Sequence, residues 1–313
     1  MALAPRGSGA TGGDASEALK FVVAPAEPRH FRRARVIVQQ DPAVCVHVAS
    51  TIPPAGAGEG IARHWAILEG GRTIGLVQQY RGFTWAVERP RRGDPRLGPA
   101  VADLVVRAAF APTEVCFGPE GEVRDVLDAL RLRGLDLVEL RRQEMMSCPE
   151  PVAAPESPPG FQLRAGTRRD LPWLLRAHAA MCLEDLGVDQ VARNPDGYAH
   201  YFEGLARRRR VFVGELDGER VFKCEIAQES DVSWLIEGVY TVPAVRGRRL
   251  ATVAMAWICG LAAAKRRLPC LYVHRRNEAA IRVYQRVGFE IVAPWATAIV
   301  ARETRRPHAA LEY

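Results

Sequence analysis

The sequence predicts an α+β fold, built as two similar halves in one chain of 313 residues. Three observations predict it. A proline-rich run, PEPVAAPESPPG at 149–160, cuts the chain into pieces of similar size; five prolines fix φ and remove donors, so this run is neither helix nor inner strand. The second half alternates strand-length and helix-length patterns with clear turn and cap signals. The first half echoes that order. Gly71 and Gly218 lie 147 positions apart and Gly134 and Gly288 lie 154 apart, which suggests a diverged duplication.

The elements follow in chain order. Residues 1–18 are rich in Gly, Ala and Ser without an apolar core, so they predict a disordered tail and no signal peptide. An N-terminal domain is expected over 19–148. Within it, 65–68 and 73–79 flank Gly70-Gly71 as a hairpin, 100–109 is helical, 115–117 a strand and 122–132 a helix. After the linker at 149–160, a second domain is expected over 161–304. It opens with a strand at 161–165, and Thr167 and Asp170 form a capping box for a helix at 171–183. Asn194-Pro195 starts another helix. Strands 211–215 and 221–227 are joined by Asp217-Gly218, and 232–241 completes a meander. A long apolar helix at 250–265, a strand at 270–274, a helix at 278–286 and short strands at 289–292 and 297–300 close the domain, with a loose tail from 305 to 313.

Composition excludes several classes. With 48% hydrophobic residues the chain can bury a core, so wholesale disorder is excluded. Lys plus Arg minus Asp plus Glu is 43 − 36 = +7, which suits a binder of phosphorylated small molecules as well as nucleic acid. The Arg207–Arg210 run lacks interleaved aromatic residues and reads as a solvated helix end, so nucleic acid is not expected as a partner. The long apolar run without charge, 250–264, falls short of the ~18 residues of a membrane span. Seven scattered cysteines without a C-x-x-C pair predict reduced thiols in a cytoplasmic protein, with no metal site.

Two stretches carry chemistry. In VYTVPAVRGRRLA (239–251) a strand ends at Pro243, a basic Gly loop follows, and a long helix begins. Free N–H groups at a helix start attract anions, and Arg246, Arg248 and Arg249 add charge, so this is a place to hold a diphosphate. In NEAAIRVYQRVGF (277–289) Asn277 caps a helix, Tyr284 shares a face with Ala280, and Gly288 ends the helix.

In this order the two stretches resemble the GNAT superfamily of acyl-CoA-dependent N-acyltransferases. The family loop, Q/R-x-x-G-x-G/A after a V-x-P strand end, aligns with Arg246-Gly247-Arg248-Arg249-Leu250-Ala251. The later N-x-x-A-x-x-x-Y-x-x-x-G-F motif is met by Asn277, Ala280, Tyr284, Gly288 and Phe289. EDLGVD, VFKCEIA, IEGVYTVP, WATAIV and QDPAVCVHVAS also look like a bacterial group of two-domain GNAT proteins whose N-terminal domain has no known function.

The resemblance implies a mixed, mostly antiparallel sheet flanked by helices in the C-terminal half, preceded by a degenerate, non-catalytic GNAT-like domain that shapes the acceptor cleft. It implies acetyl-CoA, or another short acyl-CoA, as co-substrate, and a small-molecule or peptide amine as acceptor attacking the thioester directly in a ternary complex. A backbone N–H among Val239, Tyr240 and Thr241 would polarise the carbonyl, and Gly238 would mark a bulge admitting the pantetheine. Tyr284 would protonate the leaving thiolate, and Asn277 would bond pantetheine amides or backbone. Glu237 is the first candidate base and Glu184 the second. The expected cofactor-binding set is Val239, Tyr240, Thr241, Arg246, Gly247, Arg248, Arg249, Leu250, Ala251, Asn277, Ala280 and Tyr284, in a monomer or homodimer. Arg249 replaces the usual loop glycine; the same departure motivates an alternative, a non-catalytic acyl-CoA-sensing or interaction protein. In the first half, Leu130 stands at the tyrosine position, and Pro95 and Pro99 interrupt the loop region.

Overall fold

The computed structural model describes residues 21–53, 62–80, 84–88, 95–108 and 113–302. The two expected tails, 1–18 and 305–313, lie outside these residues. The first half runs β1 (Phe21–Pro25), α1 (Pro28–Val38), α2 (Val46–Thr51), β2 (Ala62–Glu69), β3 (Arg72–Tyr80), β4 (Thr84–Glu88), α3 (Leu97–Ala108), β5 (Thr113–Pro119), α4 (Glu120–Arg131) and β6 (Leu135–Ser147). The second runs β7 (Phe161–Ala165), α5 (Leu171–Leu186), α6 (Gln190–Arg193), α7 (Pro195–Arg207), β8 (Val211–Leu216), β9 (Glu219–Glu229), β10 (Ser233–Thr241), α8 (Leu250–Ala264), β11 (Leu268–His274), α9 (Glu278–Val287) and β12 (Glu290–Arg302).

Local chemistry accounts for the second half. The capping box forms as expected: the Thr167 N–H donates to Asp170 Oδ2 at 2.8 Å. Arg164 and Arg220 also grip Asp170, and their hydrogen bonds hold its carboxyl far below the usual carboxylate range. Asn194 accepts from the Gly197 N–H at the start of α7. Asp217 and Gly218 both take positive φ, the requirement of a two-residue type I′ hairpin. Gly288 ends α9 in the left-handed region, and Gly134, in the turn between α4 and β6, is left-handed too.

The strands of the described residues all join one sheet, in the order β1-β2-β3-β4-β5-β12-β6-β11-β10-β9-β8-β7. Neighbours are antiparallel except β4–β5 and β10–β11. The order is its own reverse when each strand of one half is exchanged for its counterpart in the other: β1 for β7, β5 for β11, β6 for β12. This pseudo-two-fold arrangement is what a duplication leaves behind. It also interlocks the halves. β12 lies between β5 and β6, inside the first half's sheet, and β6 lies between β12 and β11, inside the second's.

The core follows the same exchange. Ala296, Ala298 and Val300 of β12 pack with Leu97, Val101, Val126 and Leu130, whereas Met146 and Cys148 pack with α8, Phe222 and Phe289. At the junction, Met145, Trp295, Leu235 and Cys270 share a cluster with Val44, Val46 and Val48. Arg275 adds polar links, donating to Glu144 and Glu120 at 2.6 and 2.7 Å.

One expectation needs correcting. The short strands at 289–292 and 297–300 are one continuous strand, β12. Pro294 sits inside it, beside a register shift between Ile291 and Ala293, where a missing N–H does little harm. The stretch 149–160 has no helix or strand, and it packs on the second half: the Val152 N–H donates to the Val287 carbonyl, and Gly288 packs against the Glu150 carbonyl so closely that a Cβ would lie 2.7 Å from it.

Candidate active site

The site begins where two strands part. β10 and β11 pair in parallel only from Ser233↔Leu268 to Leu235↔Cys270. Beyond that, β10 continues to Thr241 and β11 to His274 without pairing, so the sheet opens into a V. On its other side β10 is bulged: Glu237 pairs with Glu225 and Tyr240 with Lys223, leaving Gly238 and Val239 opposite a single residue. Gly238 has φ +61°, and a Cβ there would fall 2.1 Å from Glu225 Oε1, so only glycine fits.

A cleft of about 1540 Å³ occupies the V. Of the expected site residues, Glu184, Glu237, Val239, Asn277, Ala280 and Tyr284 line it together with Gly238. The first half reaches it as well, through Ser50 and Thr51 of α2 and Arg141 and Gln143 of β6.

Tyr284 is 7% exposed, with its ring 5.7 Å from that of Phe289. Burial, and then the neighbourhood of Cys224 and Asp185, pushes its phenol above the usual tyrosine range. Asn277 spends its side-chain oxygen on the Ala280 N–H at 3.1 Å, as the cap of α9. Glu237 accepts a hydrogen bond from the Tyr272 hydroxyl. His274, at the end of β11, accepts from the Arg276 N–H.

Tyr240, Thr241 and the loop at 246–251 lie off the cleft lining. Tyr240 is buried beneath the Arg246 guanidinium, 5.6 Å from its ring. Arg246 donates to the Thr241 carbonyl at 2.9 Å and to Glu184 at 2.7 Å, so Glu184 is ion-paired. Gly247 takes φ +81°. Arg249 caps α8 with φ +62° and ψ +10°, the left-handed conformation that explains why glycine is usual there. Leu250 and Ala251 begin the helix, and no acidic residue stands in its first turn.

Four groups beside the cleft were not picked out from sequence. Lys223 is fully buried, donating to Glu225 Oε2 and to the Gly238 carbonyl, both at 2.9 Å. Burial pushes the Glu225 carboxyl up, against the pull of Lys223. His178 has a buried Nδ1 without a hydrogen-bond partner, 3.9 Å from Glu225 Oε1; burial and then Lys223 lower its pKa to about 3. Asp185 is pushed up by burial and by Glu184. One signal was available: in VFKCEIA a Lys and a Glu alternate on one face of an otherwise apolar strand.

Residues 179–289 match the model of the Acetyltransferase (GNAT) family. The chain carries a GNAT domain. Solved GNAT structures resemble it over nearly its whole length. They include a GCN5-related N-acetyltransferase from Sphaerobacter thermophilus (19% identity, 93% of this chain and 98% of that one, TM-score 0.56). Another is a tandem GNAT protein from the clavulanic acid biosynthesis pathway (13% identity, 92% and 100%, TM-score 0.53). A third is a GNAT-family acetyltransferase from Colwellia psychrerythraea (13% identity, 90% and 99%, TM-score 0.50). At these identities the likeness is one of fold. No curated protein matches the sequence. Among the described residues no cluster of His, Cys, Asp and Glu could hold a metal ion, and no helix is long and apolar enough to cross a membrane.

Proposed function

We propose that the protein transfers an acyl group, acetyl first, from acyl-CoA to a primary amine by direct attack within a ternary complex. The observation that carries this reading is the opening after Leu235↔Cys270, with the Gly238 bulge on one lip and Tyr284 beside it. The unpaired side of β10 takes the pantetheine arm, and the start of α8 with Arg248 and Arg249 takes the diphosphate. A backbone N–H at the bulge meets the thioester oxygen as negative charge develops there. Tyr284 gives its proton to the departing thiolate; a phenol held above its usual pKa keeps that proton until the thiolate forms. Glu237, turned to the cleft, accepts the amine proton. The first half contributes the acceptor wall through Ser50, Thr51, Arg141 and Gln143 but no second acyl-CoA site.

The sensing alternative draws on Arg249 and on the tie between Arg246 and Glu184, which make the diphosphate loop unusual. One experiment separates the two. The full-length chain, given acetyl-CoA and a panel of amines, amino acids and peptides, should release free thiol in an amine-dependent way. Tight acetyl-CoA binding without release would favour sensing, and no binding at millimolar ligand would overturn both readings.

A further inference from the structure

We propose that Lys223 is a positioning residue for acyl transfer: it fixes and polarises the peptide at the β10 bulge that meets the thioester oxygen. The inference rests on the acyl-CoA reading above and assigns a task to a buried charge that this reading leaves unused.

The geometry is specific. Lys223 lies on β9 opposite Tyr240, one pair beyond the bulge, and none of it is exposed. Its ammonium is spent on two oxygens, Glu225 Oε2 and the Gly238 carbonyl, and it lies over the Phe202 ring at 5.4 Å. A buried lysine is costly unless paired, and Glu225 supplies the pairing. The bond to Gly238 is not needed for that pairing; its effect is on the backbone. The Gly238–Val239 peptide is trans, so its N–H points opposite to its carbonyl. With the carbonyl held on Lys223, the Val239 N–H is held pointing away from the lysine, and Val239 lines the cleft. A glycine at φ +61° is otherwise free to re-orient this peptide. The bond removes that freedom before substrate arrives, which is the condition for a donor to stabilise developing charge without reorganisation. A cation on the carbonyl also draws electron density through the amide and strengthens the N–H as a donor.

Glu225 serves the same device from below. Its carboxylate holds Lys223 and fills the space where a Cβ at position 238 would stand, so the bulge, the glycine and the ion pair require one another. The infrared and affinity readouts need no knowledge of the acceptor amine. The full-length protein is saturated with acetyl-CoA carrying ¹³C at the thioester carbonyl, and the isotope-edited infrared band of that carbonyl is compared with free acetyl-CoA. Affinity is measured in parallel by calorimetry. In the wild type the band should shift to lower frequency.

In Lys223→Met/Glu225→Gln, which removes both charges and keeps the volume, the band should return towards the free value. Acetyl-CoA affinity should stay within about threefold, and turnover should fall at least tenfold, part of the ~10²–10³ that loss of an oxyanion donor costs. Glu225→Gln alone keeps an acceptor for Lys223 and should show a smaller shift. Equal carbonyl bands in wild type and double variant, with both binding acetyl-CoA, would overturn the role of Lys223 and leave the acyl-CoA reading standing. Absence of binding by the wild type would overturn that reading, and the inference with it.

Discussion

Arg249→Gly gives a prediction with opposite signs for the empty and the loaded protein. A side chain with φ +62° costs about 1 kcal/mol relative to glycine. A cation at a helix N-terminus with no acid in the first turn costs about 0.5 kcal/mol more. Glycine gives back about 0.7 kcal/mol through its larger unfolded-state freedom. The exchange should therefore stabilise the unliganded protein by roughly 0.8 kcal/mol, raising its thermal midpoint by about 2 °C. With acyl-CoA the sign reverses, because an exposed cation near a diphosphate contributes about 0.5–1 kcal/mol, or two- to fivefold in affinity. That loss should shrink as salt rises. Thermal unfolding with and without acetyl-CoA, and calorimetry at low and high salt, check both halves. A lowered midpoint in the empty protein, or affinity equal to or above wild type at low salt, would refute the reasoning.

Other expected outcomes follow from the same geometry. Tyr284→Phe should lower kcat by about 10²-fold and leave acetyl-CoA affinity nearly constant, with about 1 kcal/mol of stability at stake; an unchanged kcat when chemistry is rate-limiting would make Tyr284 structural. Calorimetry should count one acyl-CoA per chain, because fully buried Leu130 replaces the tyrosine and Gly98 at the start of α3 abuts the Asp125 carbonyl; a count of two would refute this. A fragment of residues 150–313 should show no cooperative melting, because it lacks β6, the strand between β11 and β12; a sharp transition would contradict the strand order. Stability should fall on acidification below about pH 6.5 and continue to fall to about pH 3, because His178, with its pKa lowered to about 3 in the fold, takes up a proton more readily when unfolded. Asp170, with its pKa depressed, extends the loss to lower pH, and His178→Gln should flatten the upper part of the curve.

Features fixed by near neighbours were legible in the sequence. Thr167 with Asp170, Asn194 with Pro195, and Asp217 with Gly218 each act within a few residues, and the structure shows the cap or turn they imply. So did Gly238 and the helix running from Asn277 to Gly288. The strand exchange was not legible, because Glu290 finds its partner at Ser147 and nothing local encodes that register. Pairing with β5 and β6 likewise carries β12 through Pro294, which joins the two short strands read from local pattern. VHVAST, by its β-branched content, resembles a strand and forms α2 instead, with buried Val46, His47 and Val48 turned into the junction core. At the site, the motif residues could be named, but their duties could not. Arg246 turns to Glu184, and Lys223, one residue in an apolar strand, reaches the bulge only once β9 and β10 are aligned.

The placement of β12 also sets the timing of biosynthesis. Once residue 148 has left the ribosome, β5 and β6 are consecutive strands of the nascent chain, but the strand that belongs between them, β12, is the last of the described strands. Until translation reaches Arg302, the nascent protein carries two open strand edges and an uncovered patch around Val101, Val126 and Leu130. Folding of either half must therefore wait for the other. A chain cut short of β12 is therefore expected to aggregate rather than to fold into a working half.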